Sequence, residues 1–429
     1  MTKRVWAGLL AGILLVTGIA TSASAATVTP KVDAQSAVVA DVQTGQVLAD
    51  KNGNERMPIA SISKLLTVYL VEQAIKEGRL SMQSQIKVPA SIVAISNEPA
   101  LANVPLSTDR AYTIQELMEM ALIKSANAAA LALGYAVSGT DTGVNQQIQD
   151  LLTSWGIKDT TIVSGAGLTN GDMGALTNPK LGADVENELS ARELAIVGRH
   201  LVTDYPEIQQ ITSMQTAEVP SGATGTETIE NSDKLLADGQ GYKFTGLKTG
   251  YALSVHSTFI GLTTLEGRQV VTVVLGSDHT FSQTVAMLNA VKSAMTVKTL
   301  AKGTVIQRVQ VEEARAGEER FPIATKTAVS MFVPTALRDG KLNMTIRSNN
   351  DMIAPIAKGH VVDHQETVFV DGGTTAERNA ANDYLASPPK VDLIMTRDVA
   401  QASQVVQWYR DAKRVIMSLF ELIPKKHNA

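Results

Sequence analysis

One stretch limits the fold more than any other: Pro58-Ile59-Ala60-Ser61-Ile62-Ser63-Lys64-Leu65-Leu66-Thr67-Val68-Tyr69-Leu70-Val71. Pro58 pre-sets a helical φ near an N-terminus, where a missing N–H costs little. Ile62, Leu65, Leu66, Val68, Tyr69, Leu70, Val71 and Ala74 follow before Gly78, a residue suited to the position just past a helix end. A helix apolar on nearly every side belongs in a core. Its first turn nevertheless carries Ser61 and Lys64, three residues apart and so on one face. A buried lysine loses hydration, its pKa falls, and it can take a proton from a neighbouring hydroxyl. The free N–H groups of a helix start are placed to hold a developing oxyanion. The pattern points to a nucleophile and its base. Ser-x-x-Lys arises on many solvated helix faces, however, so partners elsewhere in the chain must decide.

Two further constellations supply them. Thr113-Ile114-Gln115-Glu116 is a capping box opening a helix through Leu117, Met118, Ala121 and Leu122, which pauses at Lys124-Ser125-Ala126-Asn127 before an alanine-rich helix resumes to Gly139. Ser125 and Asn127 sit two residues apart between helices, where a hydroxyl and an amide can face one cleft, relay a proton and hold a substrate amide. Gly246-Leu247-Lys248-Thr249-Gly250-Tyr251 then leads into strands Ser257 to Thr264 and Arg268 to Gly276. Lys-Thr-Gly on a strand offers a cation and a hydroxyl to a carboxylate, with a glycine that admits substrate to the backbone.

Composition removes other chemistries. There is no cysteine, which excludes disulfides, thiolate nucleophiles and cysteine zinc sites. The histidines are scattered, so neither a metal site nor any other cofactor is expected, and His200, His256 and His279 read as structural or helix-end residues. A net charge of −4 and the lack of a basic stripe interleaved with aromatics argue against nucleic acid.

The remaining text sets the organisation. Residues 1–25 have a positive start, an apolar run and Ala23-Ser24-Ala25, the pattern of a cleaved export signal. Ser36 to Val42 and Gln46 to Ala49 read as a strand pair, Leu151 to Thr177 as loop, Ser190 to His200 as a capped helix, and Ser282 to Met295 as another helix. One antiparallel sheet covered by helices, with a helical subdomain holding Ser61 and Ser125, is the simplest arrangement over 26–297. Short β-type runs at 305–311, 328–333, 342–346, 361–362 and 366–370 suggest a small all-β domain over 298–398. In the last segment, 399–429, Val405, Tyr409, Ala412, Ile416, Leu419 and Ile423 share one helical stripe, beside Trp408, Val415 and Phe420. Arg410, Lys413 and Arg414 lie off that stripe. Such a helix suits an anionic membrane surface, the alternative being a helix docked on the β-domain.

Ser61-x-x-Lys64, Ser125-x-Asn127 and Lys248-Thr249-Gly250, in that order behind an export signal, resemble the penicillin-recognising serine acyltransferases. The resemblance is closer to the low-molecular-mass penicillin-binding proteins that act as serine D-Ala-D-Ala carboxypeptidases. Pro58 to Lys64, Trp155-Gly156-Ile157-Lys158-Asp159, Ser190 to Leu194 and Asn231-Ser232-Asp233-Lys234-Leu235-Leu236 carry it too. It implies an α+β fold of the penicillin-binding-protein and β-lactamase type, then the small β-domain and the amphipathic helix. It implies that Ser61 attacks the bond between two D-alanines of a peptidoglycan stem peptide, carried on wall or lipid-linked precursors, with Lys64 as base. Ser125 and Lys248 would assist proton transfer, and Asn127 would hold the substrate amide. Lys248 and Thr249 would bind the terminal carboxylate that β-lactam inhibitors mimic, with Gly250 beside it and the N–H groups of Ser61 and Tyr251 forming the oxyanion hole. An exported enzyme at the outer face of the cytoplasmic membrane or in the wall follows. Ala252 and Ser232 depart from residues common in that family, at positions often Thr and Arg. A transpeptidase or a slow-turnover β-lactam sensor would keep the same three motifs. A β-lactamase would want a deacylating Glu, which is not evident.

Overall fold

The computed structural model describes residues 28–315, 320–339, 341–344, 352–365, 368–371 and 374–421. The stretch read as an export signal, 1–25, Ile423, and the ends of the β-type runs at Ile346 and Glu366 lie outside them.

Strands β1 (Ser36–Asp41) and β2 (Val47–Lys51) form the expected pair. After them come β3 (Arg56–Pro58), α1 (Lys64–Lys76), β4 (Gln85–Lys87), α2 (Ala90–Ser96), β5 (Ala111–Thr113), α3 (Ile114–Leu122), α4 (Asn127–Ser138) and α5 (Val144–Ser154). Next are β6 (Glu188–Ser190), α6 (Ala191–Asp204), α7 (Gln209–Thr212), the hairpin β7 (Thr216–Ser221) and β8 (Gly225–Glu230), and then β9 (Leu247–Ala252), β10 (His256–Leu265), β11 (Arg268–Leu275) and α8 (Thr280–Ala294). The main sheet runs β2-β1-β11-β10-β9, with every pair antiparallel. Strand β1 is buried throughout because helices cover both faces: Val38 and Ala40 point to the core shared with α1, α3, α4 and α6, and Ala37 and Val39 to the core under α8. This two-sided burial replaces the polar alternation of a solvated antiparallel strand.

Several expectations change. Pro58 does not open a helix; it ends β3, which pairs with β6, and the chain takes a short 3-10 turn over Ala60–Ser63 before α1. Its missing N–H is tolerated because β3 and β6 form only a two-stranded ribbon. The stretch read as loop from Leu151 begins inside α5, whose amphipathic turn buries Val144, Ile148 and Leu152. The helix at Ser190 continues past His200 to Asp204. His200 is not a helix-end charge: its ring stacks on Trp155 at 4.4 Å, and burial pushes its pKa down.

The C-terminal part holds β12 (Met295–Leu300), β13 (Val305–Gln310), β14 (Arg320–Thr325), β15 (Val329–Pro334), β16 (Lys341–Met344), β17 (Val361–Gln365), β18 (Val368–Asp371), a short α9 (Thr375–Ala381), β19 (Val391–Met395) and α10 (Gln404–Glu421). Its four-stranded sheet is ordered β13-β14-β19-β17. It is fastened to the main sheet by buried and partly buried polar groups. Gln46 Nε2 donates to the carbonyls of Phe332 and Ala381, Gln46 Oε1 accepts from Phe332 N–H, and Arg192 bridges Asp50 and Asp383. Among the described residues no helix is long and apolar enough to cross a membrane, and no group of three or more ligating side chains is placed to hold a metal.

Candidate active site

The 3-10 turn ahead of α1 holds Ser61 at the edge of the main sheet. Ala60 carries φ +47, a left-handed backbone uncommon for a residue with a side chain. Two glycines make room for it. A Cβ at Gly167 would lie 1.9 Å from Ala60 O, and one at Gly250 would lie 3.2 Å from the backbone nitrogen of Ser61. Ser61 is half-buried, with β9 directly beside its backbone.

Lys64, the first residue of α1, is fully buried. Its Nζ lies 2.7 Å from Ser61 Oγ, 2.8 Å from Asn127 Oδ1 and 2.8 Å from Ala166 O, donating to each. Burial lowers its pKa well below the ordinary lysine range, and the Lys248 charge lowers it further. The carbonyl of Ala166 is an acceptor only. Asn127 is held with Oδ1 toward Lys64 because its Nδ2 donates to Ala102 O at 3.0 Å. Of the three partners, only Ser61 therefore has a proton to return to a neutral Lys64 amine.

Ser125 stands two residues before Asn127 in the break between α3 and α4, half-buried and at φ +64. The break turns the chain so that α4 starts with Asn127 against Lys64. Lys248, Thr249, Gly250 and Tyr251 lie along β9, an edge strand whose other side pairs with β10. Lys248 is 1% exposed, its Nζ donates to Thr249 O at 2.9 Å, and burial pulls its pKa down to about 7 against the support of Asp233. Thr249 hydroxyl is hydrogen-bonded to Ser232, and Tyr251 is 62% exposed at the mouth. Hydrogen bonds thus join Ser61, Lys64 and Asn127 directly. Lys248 is close enough for Lys64 to feel its charge, and Gly250 abuts the backbone of Ser61.

Other residues that build the site carried no local signal. Asn187 Nδ2 donates to Ser63 Oγ at 2.9 Å and to Ser164 O at 2.6 Å, while its Oδ1 accepts from the N–H groups of Val163 and Ser164. Thr67 Oγ1 donates to Gly165 O at 2.8 Å. These bonds fix the loop that presents Ala166 O to Lys64. Asn231, from the stretch carrying the family resemblance, is turned inward: its Nδ2 donates to Met214 O at 2.9 Å and its Oδ1 accepts from Asp233 N–H.

A family model described as D-alanyl-D-alanine carboxypeptidase matches residues 21–279, and one for the C-terminal domain of penicillin-binding protein 5 matches residues 295–401. Among curated proteins, the chain is similar to the D-alanyl-D-alanine carboxypeptidase DacF of Bacillus subtilis, with 24% identity over 83% of this chain and 88% of that one. It is also similar to the D-alanyl-D-alanine carboxypeptidase DacC of Escherichia coli, with 26% identity over 63% of this chain and 64% of that one. Among solved structures, a peptidoglycan synthesis regulatory factor (PBP3) from Streptococcus pneumoniae superposes with a TM-score of 0.70 at 25% identity, covering 86% of this chain and 99% of that one. Penicillin binding protein 5 of Haemophilus influenzae superposes with a TM-score of 0.66 at 20% identity, over 87% of this chain and 99% of that one, a likeness of fold.

Proposed function

Because the chain belongs to the D-alanyl-D-alanine carboxypeptidase family, the low-molecular-mass penicillin-binding proteins, we propose that this serine-type carboxypeptidase removes the terminal D-alanine of peptidoglycan stem peptides through an acyl-enzyme on Ser61. The observation that carries this reading is the buried Lys64 amine 2.7 Å from Ser61 Oγ.

The proposed steps draw on this geometry. A neutral Lys64 takes the Ser61 proton as Oγ attacks the carbonyl between the two D-alanines. The N–H groups of Ser61 and Tyr251 receive the oxyanion, and preorganised donors of this kind supply a large part of the rate. The substrate lies against the open edge of β9, its terminal carboxylate on the Lys248 ammonium and the Thr249 hydroxyl, with Gly250 admitting its backbone. Asn127, already fixed to Lys64, has a second amide hydrogen for the substrate carbonyl. Ser125 and Lys248 pass a proton to the departing D-alanine, and water releases the acyl group with Lys64 again as base. A β-lactam places its own carboxylate and carbonyl at the same partners and acylates Ser61.

The same reading sets the enzyme outside the cytoplasmic membrane, acting on wall or lipid-linked stem peptides, with α10 laid on an anionic lipid surface. Supporting it, Val405, Trp408, Tyr409, Ile416 and Met417 are all more than half exposed on that helix. The test is D-alanine release from a stem pentapeptide ending in D-Ala-D-Ala. Release is expected from the native protein and none from Ser61→Ala; release that persists in the mutant overturns the assignment of the nucleophile.

A further inference from the structure

Asp233 has no part in the steps above. It follows β8 and caps a short 3-10 turn, Lys234–Leu236: its Oδ1 accepts from Leu235 N–H at 2.9 Å, and its own N–H donates to Asn231 Oδ1 at 2.9 Å. The residue is 4% exposed, and among the described residues its Oδ2 has no hydrogen-bond partner. A carboxylate in such a place is kept ionised by a nearby cation or takes up a proton. The adjoining Ser232 is hydrogen-bonded to Thr249 Oγ1, which lays this segment beside β9 with Asp233 one residue from that bond on one side and Lys248 one residue from it on the other. The titratable groups that bear on Lys248 are Asp233, which supports its charge, and the buried Lys64 amine of α1, which feels that charge; Lys234 is exposed to solvent. Lys248 is thus the cation whose charge bears on Asp233.

We propose that Asp233 is a positioning residue that keeps the Lys248 ammonium charged for a carboxylate-ended substrate, an inference that rests on the reading of Lys248 as the carboxylate anchor. The interaction is mutual: Asp233 raises the Lys248 pKa against burial, and Lys248 lowers that of Asp233 against its own. Lys248 sits at about 7 with this support, so removing the carboxylate takes it lower and uncharges the anchor at neutral pH. Asp233 itself sits at about 6. Below that value Lys248 is cationic with or without a carboxylate beside it, so the effect belongs to the alkaline side of the profile.

Asp233→Asn keeps an oxygen for Leu235 N–H and removes the charge. For D-alanine release from the stem pentapeptide, its kcat/KM is expected to stay within about twofold of native at pH 6. Its alkaline fall, carried by KM, is expected about one pH unit earlier, roughly a tenfold loss at pH 8. Asp233→Glu should move the profile back. An unchanged profile with an unmoved Lys248 pKa, or a loss equal at every pH, overturns the proposal, since loss of the cap alone would not depend on pH. NMR titration of the Lys248 amine, assigned with Lys248→Arg, separates the two readings. Its pKa must fall in Asp233→Asn, and no fall overturns the coupling. A fall with no change in the KM profile overturns the anchor role of Lys248 instead. If Asp233→Asn does not fold, Lys248→Met gives the reciprocal reading: the Asp233 carboxyl must titrate higher than in the native protein, and an unmoved value overturns the proposal.

Discussion

Helices α1 and α10 use the same chemical materials, apolar residues beside cations, to opposite effect. Helix α1 is buried nearly all round, and its one cation near the start, Lys64, is fully removed from water. Helix α10 leaves Trp408 at 74% and Tyr409 at 65% exposure, while Arg410 reaches back to Ala314 O and Arg414 pairs with Asp411 at the surface. What differs is which group is denied water. Hiding the cation of α1 lowers its pKa, as the proposed role of base requires. Exposing the apolar side of α10 gives it a reason to find a second, non-aqueous surface.

The sharpest way to break this contrast is at Lys64. Lys64→Met removes both charge and base, whereas Lys64→Arg keeps a cation that does not deprotonate in proteins. If desolvation matters because it frees a base, both variants lose acylation by a fluorescent penicillin by about 10²–10⁴-fold. Retained acylation in Lys64→Arg, with an unchanged melting temperature, would mean that α1 supplies only a charge, and the two helices would then differ less than their burial suggests.

The next effect falls on α10. Removing the residues after Gln401 should reduce binding to vesicles containing anionic lipid by roughly tenfold or more, with D-alanine release in free solution unaltered. The native protein should bind neutral vesicles more weakly and lose anionic binding as salt rises. Equal sedimentation with vesicles before and after truncation would place α10 among ordinary surface helices.

The site was readable in the sequence to the extent that its contacts are local. Ser61 and Lys64 meet because three residues is one helical turn, and Lys248, Thr249 and Gly250 share a strand. The capping boxes at Thr113 and Ser190 mark helix starts with two reciprocal bonds each, and both form. Asn187 gives no signal for the opposite reason: it matters through partners distant in the chain and stands at no recognisable spacing. Asp233 lies in a stretch that carries the resemblance, but nothing local shows that Lys248 is its partner. The strands β3 and β6 have three residues apiece, too few to show a period. Helices α2 and α5 were missed beside them, since a short amphipathic run in polar text gives little sign of what it will pack against. His200 was misjudged because the stack with Trp155 joins α6 to the end of α5, a contact that only the tertiary fold creates.

The smallest effect tests whether burial of α1 acts on more than Lys64. Glu72, two turns further along the same helix, is 2% exposed, and its Oε1 has no hydrogen-bond partner among the described residues. Burial first, and then the charge of Glu207, raise its pKa to about 7 from an ordinary value of 4.5. A carboxyl raised on folding favours the folded state while it is protonated. That contribution is complete below about pH 4.5, where both states hold the proton, and is lost as pH rises through 7. Glutamine stays neutral throughout. Glu72→Gln should therefore gain stability relative to the native protein between pH 5 and pH 8.5, by roughly 1–3 kcal/mol in denaturant unfolding. Its D-alanine release should be unchanged, since Glu72 bears on packing and not on Ser61. A stability difference that is flat across this range would show that Glu72 is charged in the folded protein, and that the dryness of α1 is confined to the turn holding Lys64.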